Sequence, residues 1–332
     1  MKKSQRTKQN IFLEALGRLF FIRPSIPQII QIEVTNRCNL DCKMCPRKFL
    51  EVEYRDMDFE IFKRVVKKLS GVYEIILTGW GEPLCHPQIF QMIKFCHDLG
   101  FKTRLTTNGV LLDKIKADQI IETGLDEIAF SVENINPSSQ NEWGHINVLQ
   151  IENIKNFVQQ KNRPRITLQT TLHKNRGDDI FEIIKFGKEI GAERINLERL
   201  DIRFNKNLSR PNFQEEKSIV ERGVQLGDDI GVGVECLHHS LSKGFSRQIF
   251  KLIKNFLHQR GKYCFRIYDY IYININGGVT PCCSLPHYKL DSILDSSLKE
   301  IWNSEKFKKF RKNQKIVCGK CDVAYIKQIS QY

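Results

Sequence analysis

The sequence predicts an α/β protein built on a partial (β/α)6 TIM-type barrel, with a small α+β domain at its C-terminal end. Three observations predict it. Six β-branched or aromatic runs alternate with helical patterns over residues 28–202, and such alternation folds as a parallel sheet with right-handed crossovers. Six units fall short of the eight that close a barrel, so the sheet should stay open. From Tyr263 onward the rhythm is lost, and short strands and one helix accompany five of the eleven cysteines.

The strands, in order, are "QIIQIEVT" from residue 28, "YEIILTGWGEP" from 73, "KTRLTTNG" from 102, "LDEIAFSVEN" from 125, "RITLQTTLH" from 165 and "AERINLERL" from 192. Each ends in turn or polar residues, as a strand feeding a loop does. Between them "DFEIFKRVVKKLS", "HPQIFQMIKFCHDLG", "LDKIKADQIIETG", "LQIENIKNFVQQK" and "DDIFEIIKFGKEIGA" repeat apolar residues at three and four, with Gly100, Gly124 and Gly191 at the stops. Reactive groups of such a barrel gather at the carboxyl ends of its strands. The expected divisions are 1–27, an N-terminal extension whose "IFLEALGRLFFI" reads as an amphipathic helix docked on the main body; 28–205, the partial barrel; 206–255, a linker and helical region; and 256–332, the small domain.

At 332 residues the chain can bury a sizeable core without a disulfide framework. No apolar run approaches the roughly 18 residues that span a bilayer, and no small-residue cleavage site follows the N-terminus. The expected location is therefore cytoplasmic, where eleven cysteines argue for metal binding rather than disulfides. Lys and Arg number 52 against 38 Asp and Glu, a formal charge of +14 that favours an anionic partner. The excess is scattered between Lys2, Lys3, Arg6 and Lys8 and the run "EKFKKFRKNQK", which reads more simply as a solvated basic surface.

The chemistry starts at "TNRCNLDCKMCPRK", residues 35–48, which sets Cys38, Cys42 and Cys45 in a C-x3-C-x2-C array just past the first strand. Three thiolates on one loop can each take a corner of a four-iron cluster and leave the fourth iron open. Zinc with a fourth ligand from elsewhere fits the three cysteines taken alone. "LTGWGEPLCHP" supplies glycines that let backbone approach a ligand, together with a carboxylate; out of context it is a loop. A second set, Cys264, Cys282, Cys283, Cys318 and Cys321, can saturate a cluster or make a zinc ribbon. Of the remaining cysteines, Cys96 reads as core, Cys85 lies beside the glycine loop, and Cys236 with His238 and His239 reads as a structural group.

The segment "IEVTNRCNLDCKMCPR" resembles the signature of the radical S-adenosylmethionine (radical SAM) superfamily. The resemblance implies a [4Fe–4S] cluster on Cys38, Cys42 and Cys45 whose open iron chelates S-adenosylmethionine (SAM), cleaved by one electron to a 5'-deoxyadenosyl radical. Gly79, Trp80, Gly81, Glu82 and Pro83 resemble the family's GGEP motif, with Trp80 departing from it. It further implies cofactor contact from Met44, Gly79, Gly81, Glu82, Thr107, Asn108 and Ser131, with Glu133 and Asn134 as weaker candidates. Gln169, Thr171, Asn196 and Glu198 have the strand positions to face the barrel mouth.

Residues 264–321 resemble a SPASM or twitch extension, through "NGGVTPC" and the helix "LKEIWNSEKFKKFR" ahead of the last C-x2-C. That implies one auxiliary [4Fe–4S] cluster, held by Cys264, Cys282, Cys318 and Cys321, with Cys283 as the alternative to Cys282. The implied function is hydrogen-atom abstraction from a peptide, protein, sugar-like or anionic small substrate. A reductant such as flavodoxin or ferredoxin would supply the electron. No additional N-terminal peptide-recognition domain is evident, which leans the expectation away from ribosomal peptides. The competing expectation is a zinc-dependent nucleic-acid-binding protein; against it, aromatic residues are not interleaved with the basic runs.

Overall fold

The computed structural model describes residues 24–50, 52–135, 148–174, 177–205, 207–236, 264, 266–318 and 321. All six expected strands form: β1 (Ile29–Ile32), β2 (Glu74–Leu77), β3 (Lys102–Thr107), β4 (Glu127–Ser131), β5 (Arg165–Leu172) and β6 (Arg194–Arg199). They pair in parallel in sequence order. The interleaved helices are α1 (Phe59–Lys67), α2 (Ile89–Asp98), α3 (Lys114–Glu122), α4 (Val148–Val158), α5 (Gly177–Glu189) and α6 (Phe213–Ile230).

Period-two alternation explains which side chains face the helices. Ile30 and Ile32 of β1 are fully buried, as are Leu105, Leu168 and Ile195. Gly187 on α5 lies against Leu168 and Ile195, and Gly223 on α6 lies against Leu197, which fixes that side of the sheet as the helix-covered one. Gln31, Thr106, Ser131, Gln169, Asn196 and Glu198 therefore face the concave interior, because successive strand residues point to opposite faces. The amino ends of the strands are closed by charge: Glu127 accepts from Arg165 and Arg194, both at 3.1 Å, while Lys102 lies 3.5 Å from Glu74.

The sheet extends beyond six strands at both edges. β7 (Gly233–Glu235), in the region expected to be linker and helix, adds a parallel strand beside β6. At the other edge β8 (Tyr270–Ile273) pairs in parallel with β1 and turns through Asn274–Gly277 into antiparallel β9 (Gly278–Thr280), followed by β10 (Asp291–Ser292). Gly277 supports this turn with a φ of 77°, a conformation open to glycine without penalty. The divisions expected at residues 205 and 255 thus separate strands that share one hydrogen-bonded sheet.

The single helix expected over 296–312 is instead two, α7 (Leu298–Asn303) and α8 (Glu305–Lys312), followed by a short α9 (Gln314–Val317). Ser304 breaks them: it is extended at φ −59°, ψ 150°, and its hydroxyl accepts from Phe307 N to cap α8. The kink folds Trp302, Phe307 and Phe310 into one buried group and lays Arg311 over Trp302 and Phe307. The Trp302 indole N–H donates to the Pro24 carbonyl at 2.9 Å, tying the chain's entry to this end. The expected helix at 11–22 lies outside the described residues, within which no helix is long and apolar enough to cross a membrane.

Candidate active site and cysteine cage

The loop after β1 carries Cys38, Cys42 and Cys45, each partly accessible. Cys45 N donates to Cys42 O at 3.1 Å and Leu40 N to Cys38 Sγ at 3.4 Å, so the loop is turned by its own backbone. Arg47, with Pro46 at the start of a 3-10 turn, donates to Leu40 O at 3.1 Å and closes it from behind. The three thiols lie within electrostatic reach of one another. Burial, then Cys45 and Cys38, push the Cys42 thiol up to about 11. A group of thiols that resists ionisation this way is relieved by a cationic metal centre, whose binding expels the protons. Met44 lies half-buried within the loop.

Two further loops are bonded to this one. Gly81 N donates to Thr35 O at 3.2 Å and Glu82 N to Arg37 O at 2.8 Å. The contact requires glycine: a Cβ on Gly81 would stand 2.3 Å from Arg37 O, and one on Gly79 would stand 2.4 Å from Glu33 Cγ. Neither position has a positive φ, so close approach, not backbone conformation, selects the residue. Glu82 is buried and accepts from Thr107 Oγ1 at 2.6 Å, Asn108 N at 2.7 Å and Leu84 N at 3.0 Å. Burial nevertheless holds its carboxyl above its ordinary value. Asn108 continues the tie by donating to Asn39 Oδ1 at 2.9 Å.

The other expected contacts line the interior. Ser131, Gln169 and Asn196 sit side by side on β4, β5 and β6, and Thr171 neighbours Glu198 one layer further along. Glu133 accepts from Thr171 N and Oγ1, bracing β4 against β5. Asn134 is buried. Four residues that sequence reasoning passed over, Gln31, Glu33, Tyr270 and Tyr272, belong to this wall. Glu33, the interior position after β1, accepts from Trp80 N at 3.3 Å, and the Tyr272 hydroxyl faces its carboxyl, which burial raises. Tyr270 donates to Gln31 across the β8–β1 pair. The alternation Gln31, Glu33 within "IIQIEV" was the signal for an inward carboxylate.

The second cysteine set gathers at the opposite end. β8 runs parallel to β1, so Cys264 before β8 and Cys282 just past the returning β9 both lie at the amino ends of the strands. Cys282 is surrounded by Cys283, Cys264, Cys321 and Cys318, which together with burial push its thiol far up. Cys321 N donates to Cys318 O at 2.8 Å, folding the final C-x2-C into a turn. Cys283 faces Arg266, Tyr270 and Tyr272 in the interior. Cys96 is enclosed in α2, as expected of a core residue; Cys236 is buried, but His238 and His239 lie outside the described residues.

The model of the radical SAM superfamily matches residues 32–187, and that of the SPASM iron-sulfur cluster-binding domain matches residues 264–322, so each match takes in one cysteine set. The chain carries a radical SAM domain followed by a SPASM domain. Among similar proteins, the tungsten-containing aldehyde ferredoxin oxidoreductase cofactor-modifying protein of Pyrococcus furiosus is 25% identical over 309 residues, covering 85% of this chain and 82% of that protein. The PqqA peptide cyclase of Gluconobacter oxydans is 24% identical over 306 residues, covering 87% and 80%. Streptococcus suis SuiB bound to its precursor peptide SuiA has the same fold, with a TM-score of 0.72 at 16% identity over 99% of this chain and 77% of that one. The comparisons lend nothing to the zinc alternative. This radical SAM enzyme uses a [4Fe–4S] cluster with SAM, and its SPASM domain binds iron–sulfur. The donor sets fit: three neighbouring thiols on a loop beside the glycine turn, and a thiol-rich cage at the far end.

Proposed function

We propose that this radical SAM enzyme modifies a peptide, and that one auxiliary cluster held by Cys264, Cys282, Cys318 and Cys321 serves electron transfer. The observation that carries it is the placement of the two cysteine sets at opposite ends of one polar-lined half-barrel. When bound, the Cys38/Cys42/Cys45 cluster and SAM supply a 5'-deoxyadenosyl radical able to take a hydrogen atom from an unactivated C–H bond. In this reading Gly79 and Gly81 bring backbone against the cofactor, and Glu82, tethered by the Thr107 hydroxyl, holds the tip of β3 in place so that Asn108 faces the cofactor space. Met44 covers the cofactor from the cysteine loop, and Ser131 reaches it from β4. Gln169, Thr171 and Asn196 offer donors and acceptors of the kind that bind an extended backbone.

A peptide is favoured over a sugar-like molecule because the similar proteins include peptide cyclases and the structural likeness includes a precursor-peptide complex. This outweighs the lean away from ribosomal peptides drawn from the N-terminus. The formal charge of +14 suits an acidic peptide or an acidic one-electron donor such as flavodoxin or ferredoxin. The test is anaerobic reconstitution followed by assay of 5'-deoxyadenosine with peptides encoded beside the gene. About eight irons per chain and a peptide whose mass changes only with SAM and reductant support the reading. Deoxyadenosine formation stimulated by a sugar and by none of the peptides overturns the peptide assignment.

A further inference from the structure

Among the described residues, the arginines most withdrawn from solvent have direct partners, Arg47 donating to the Leu40 carbonyl at 3.1 Å. Arg199 pairs with Glu216 at 3.0 Å. Arg311 stacks on Trp302 and Phe307 and donates to the Ile267 and Trp302 carbonyls. Arg266, half-buried, is different. It lies two residues past Cys264, on the 3-10 turn Arg266–Tyr268 that feeds β8. Among the described residues it makes no ion pair and no side-chain hydrogen bond. Its neighbours are the thiols of Cys283 and Cys264, the Glu198 carboxylate and the Tyr270 phenol.

A cation partly withdrawn from water without a direct partner is destabilising unless something compensates it. Glu198 does not do so directly. It stands near the end of β6, half-buried in the half-barrel, with only the longer-range fields of Arg266 and Arg104 on it, and it too makes no hydrogen bond or ion pair among the described residues. What lies beside Arg266 on the other side is the cage of thiols, which becomes strongly negative once they are deprotonated around iron. That negative charge grows by one on reduction, so a fixed neighbouring cation stabilises the reduced state more than the oxidised one, and net charge is among the levers that set iron–sulfur potentials.

We infer that Arg266 is the counter-cation of the auxiliary cluster and holds its reduction potential up, while Glu198 opposes it from the barrel interior. The inference rests on the auxiliary-cluster part of the proposed function. Reduction here is a one-electron step: the electron comes from the titrating reductant in the experiment, or from a substrate radical in turnover, and no bond at Arg266 is made or broken. An electron-accepting cluster needs such help, because burial among apolar residues and thiolates would otherwise depress its potential.

The test is an anaerobic redox titration of the full chain followed by electron paramagnetic resonance, with the Cys38, Cys42 and Cys45 to Ala triple variant as the background that isolates the auxiliary signal. Arg266→Gln should disfavour reduction at least tenfold, a downward shift of about 59 mV for one electron. Arg266→Lys, which keeps the charge, should stay within about threefold of the parent. Glu198→Gln should shift the midpoint upward. Unmoved midpoints, a shift in the same direction for Arg266→Gln and Glu198→Gln, or an Arg266→Lys shift as large as that of Arg266→Gln overturns the inference and leaves the cluster assignment standing. A triple variant that holds no iron overturns both together.

Discussion

Gly81→Ala is the sharpest probe of how the active site is assembled. The added methyl would meet Arg37 O at 2.3 Å, Thr35 O at 2.7 Å and Arg37 N at 2.8 Å, all backbone atoms of the segment entering Cys38. No side chain can swing aside, so the glycine loop or the cysteine loop must retreat by about 1 Å to restore ordinary contact. That movement takes away the Gly81 N–Thr35 O and Glu82 N–Arg37 O hydrogen bonds. Two such bonds contribute about 0.5–1.5 kcal/mol each and overpacking costs about 1–3 kcal/mol, so the assembled arrangement loses roughly 2–6 kcal/mol. At about 1.4 kcal/mol per tenfold, its population falls at least thirtyfold or so. The assay follows 5'-deoxyadenosine formation and the SAM-induced change in the paramagnetic signal of the reduced protein. Gly100→Ala is the control: at φ 84° it strains the backbone by about 1–2 kcal/mol, yet its methyl meets nothing within 4 Å. The expected result is a thirtyfold or greater loss for Gly81→Ala with the iron of the cage retained, and parental cleavage for Gly100→Ala. Parental SAM cleavage by Gly81→Ala would refute the argument that backbone approach at this glycine holds the site together.

Other expectations follow from single contacts. Cys282→Ala should lose about four irons per chain while Cys283→Ala keeps them, because Cys282 is the one among Cys264, Cys318 and Cys321; iron assay decides, and the reverse result would move the ligand to Cys283. Glu82→Ala leaves the Thr107 hydroxyl and the Asn108 and Leu84 amides without their acceptor, at roughly 1–3 kcal/mol for each buried donor left unmade, measured by urea unfolding of the iron-free chain. Because burial raises the folded-state value of Glu82 above its ordinary value of 4.5, the folded state binds more protons in that window. The carboxyl's contribution is therefore full below pH 4.5 and declines as pH rises through the folded value, so the stability gap between parent and Glu82→Ala should narrow with rising pH. Ser304→Ala removes the α8 cap and should cost about 1 kcal/mol, lowering the melting temperature with iron content unchanged.

Where the signal was local, the sequence carried it. β1, β3 and β6 were legible because buried and half-buried residues alternate along them, β2 and β4 because they are short apolar runs buried on both faces, and the cysteine spacing declared its chemistry in eight residues. β7 was not legible: Gly233–Glu235 is three residues long and its residues stay largely accessible, which leaves no hydrophobic pattern to read. Ser304 offered a cap signal that the surrounding helical periodicity outweighed. The collar around the active site was out of reach for a different reason. "GWGEP" and "TTNG" announce a carboxylate and an amide, but that Glu82 spends its oxygens on Thr107, Asn108 and Leu84 depends on three loops meeting in space.

The pairing of β8 with β1 is the long-range fact with the largest functional consequence. One strand of that pair leads out to the Cys38 loop at its carboxyl end, and the other begins just after Cys264 and Arg266 at its amino end. The four residues of β1 alone hold the two ends roughly 13 Å apart, and hydrogen bonds between neighbouring strands fix that separation in a way a flexible linker cannot. The wall between the ends is polar and continuous: Glu33 and Trp80 at the active site, Tyr272 and Tyr270 on β8, then Cys283 and Arg266 at the cage. Under the proposed function, a substrate held in this interior would have hydrogen-atom chemistry at one end and an electron acceptor at the other, on a spacing set by backbone pairing. Strand pairing, more than any individual side chain, is thus what couples the two halves of the proposed reaction.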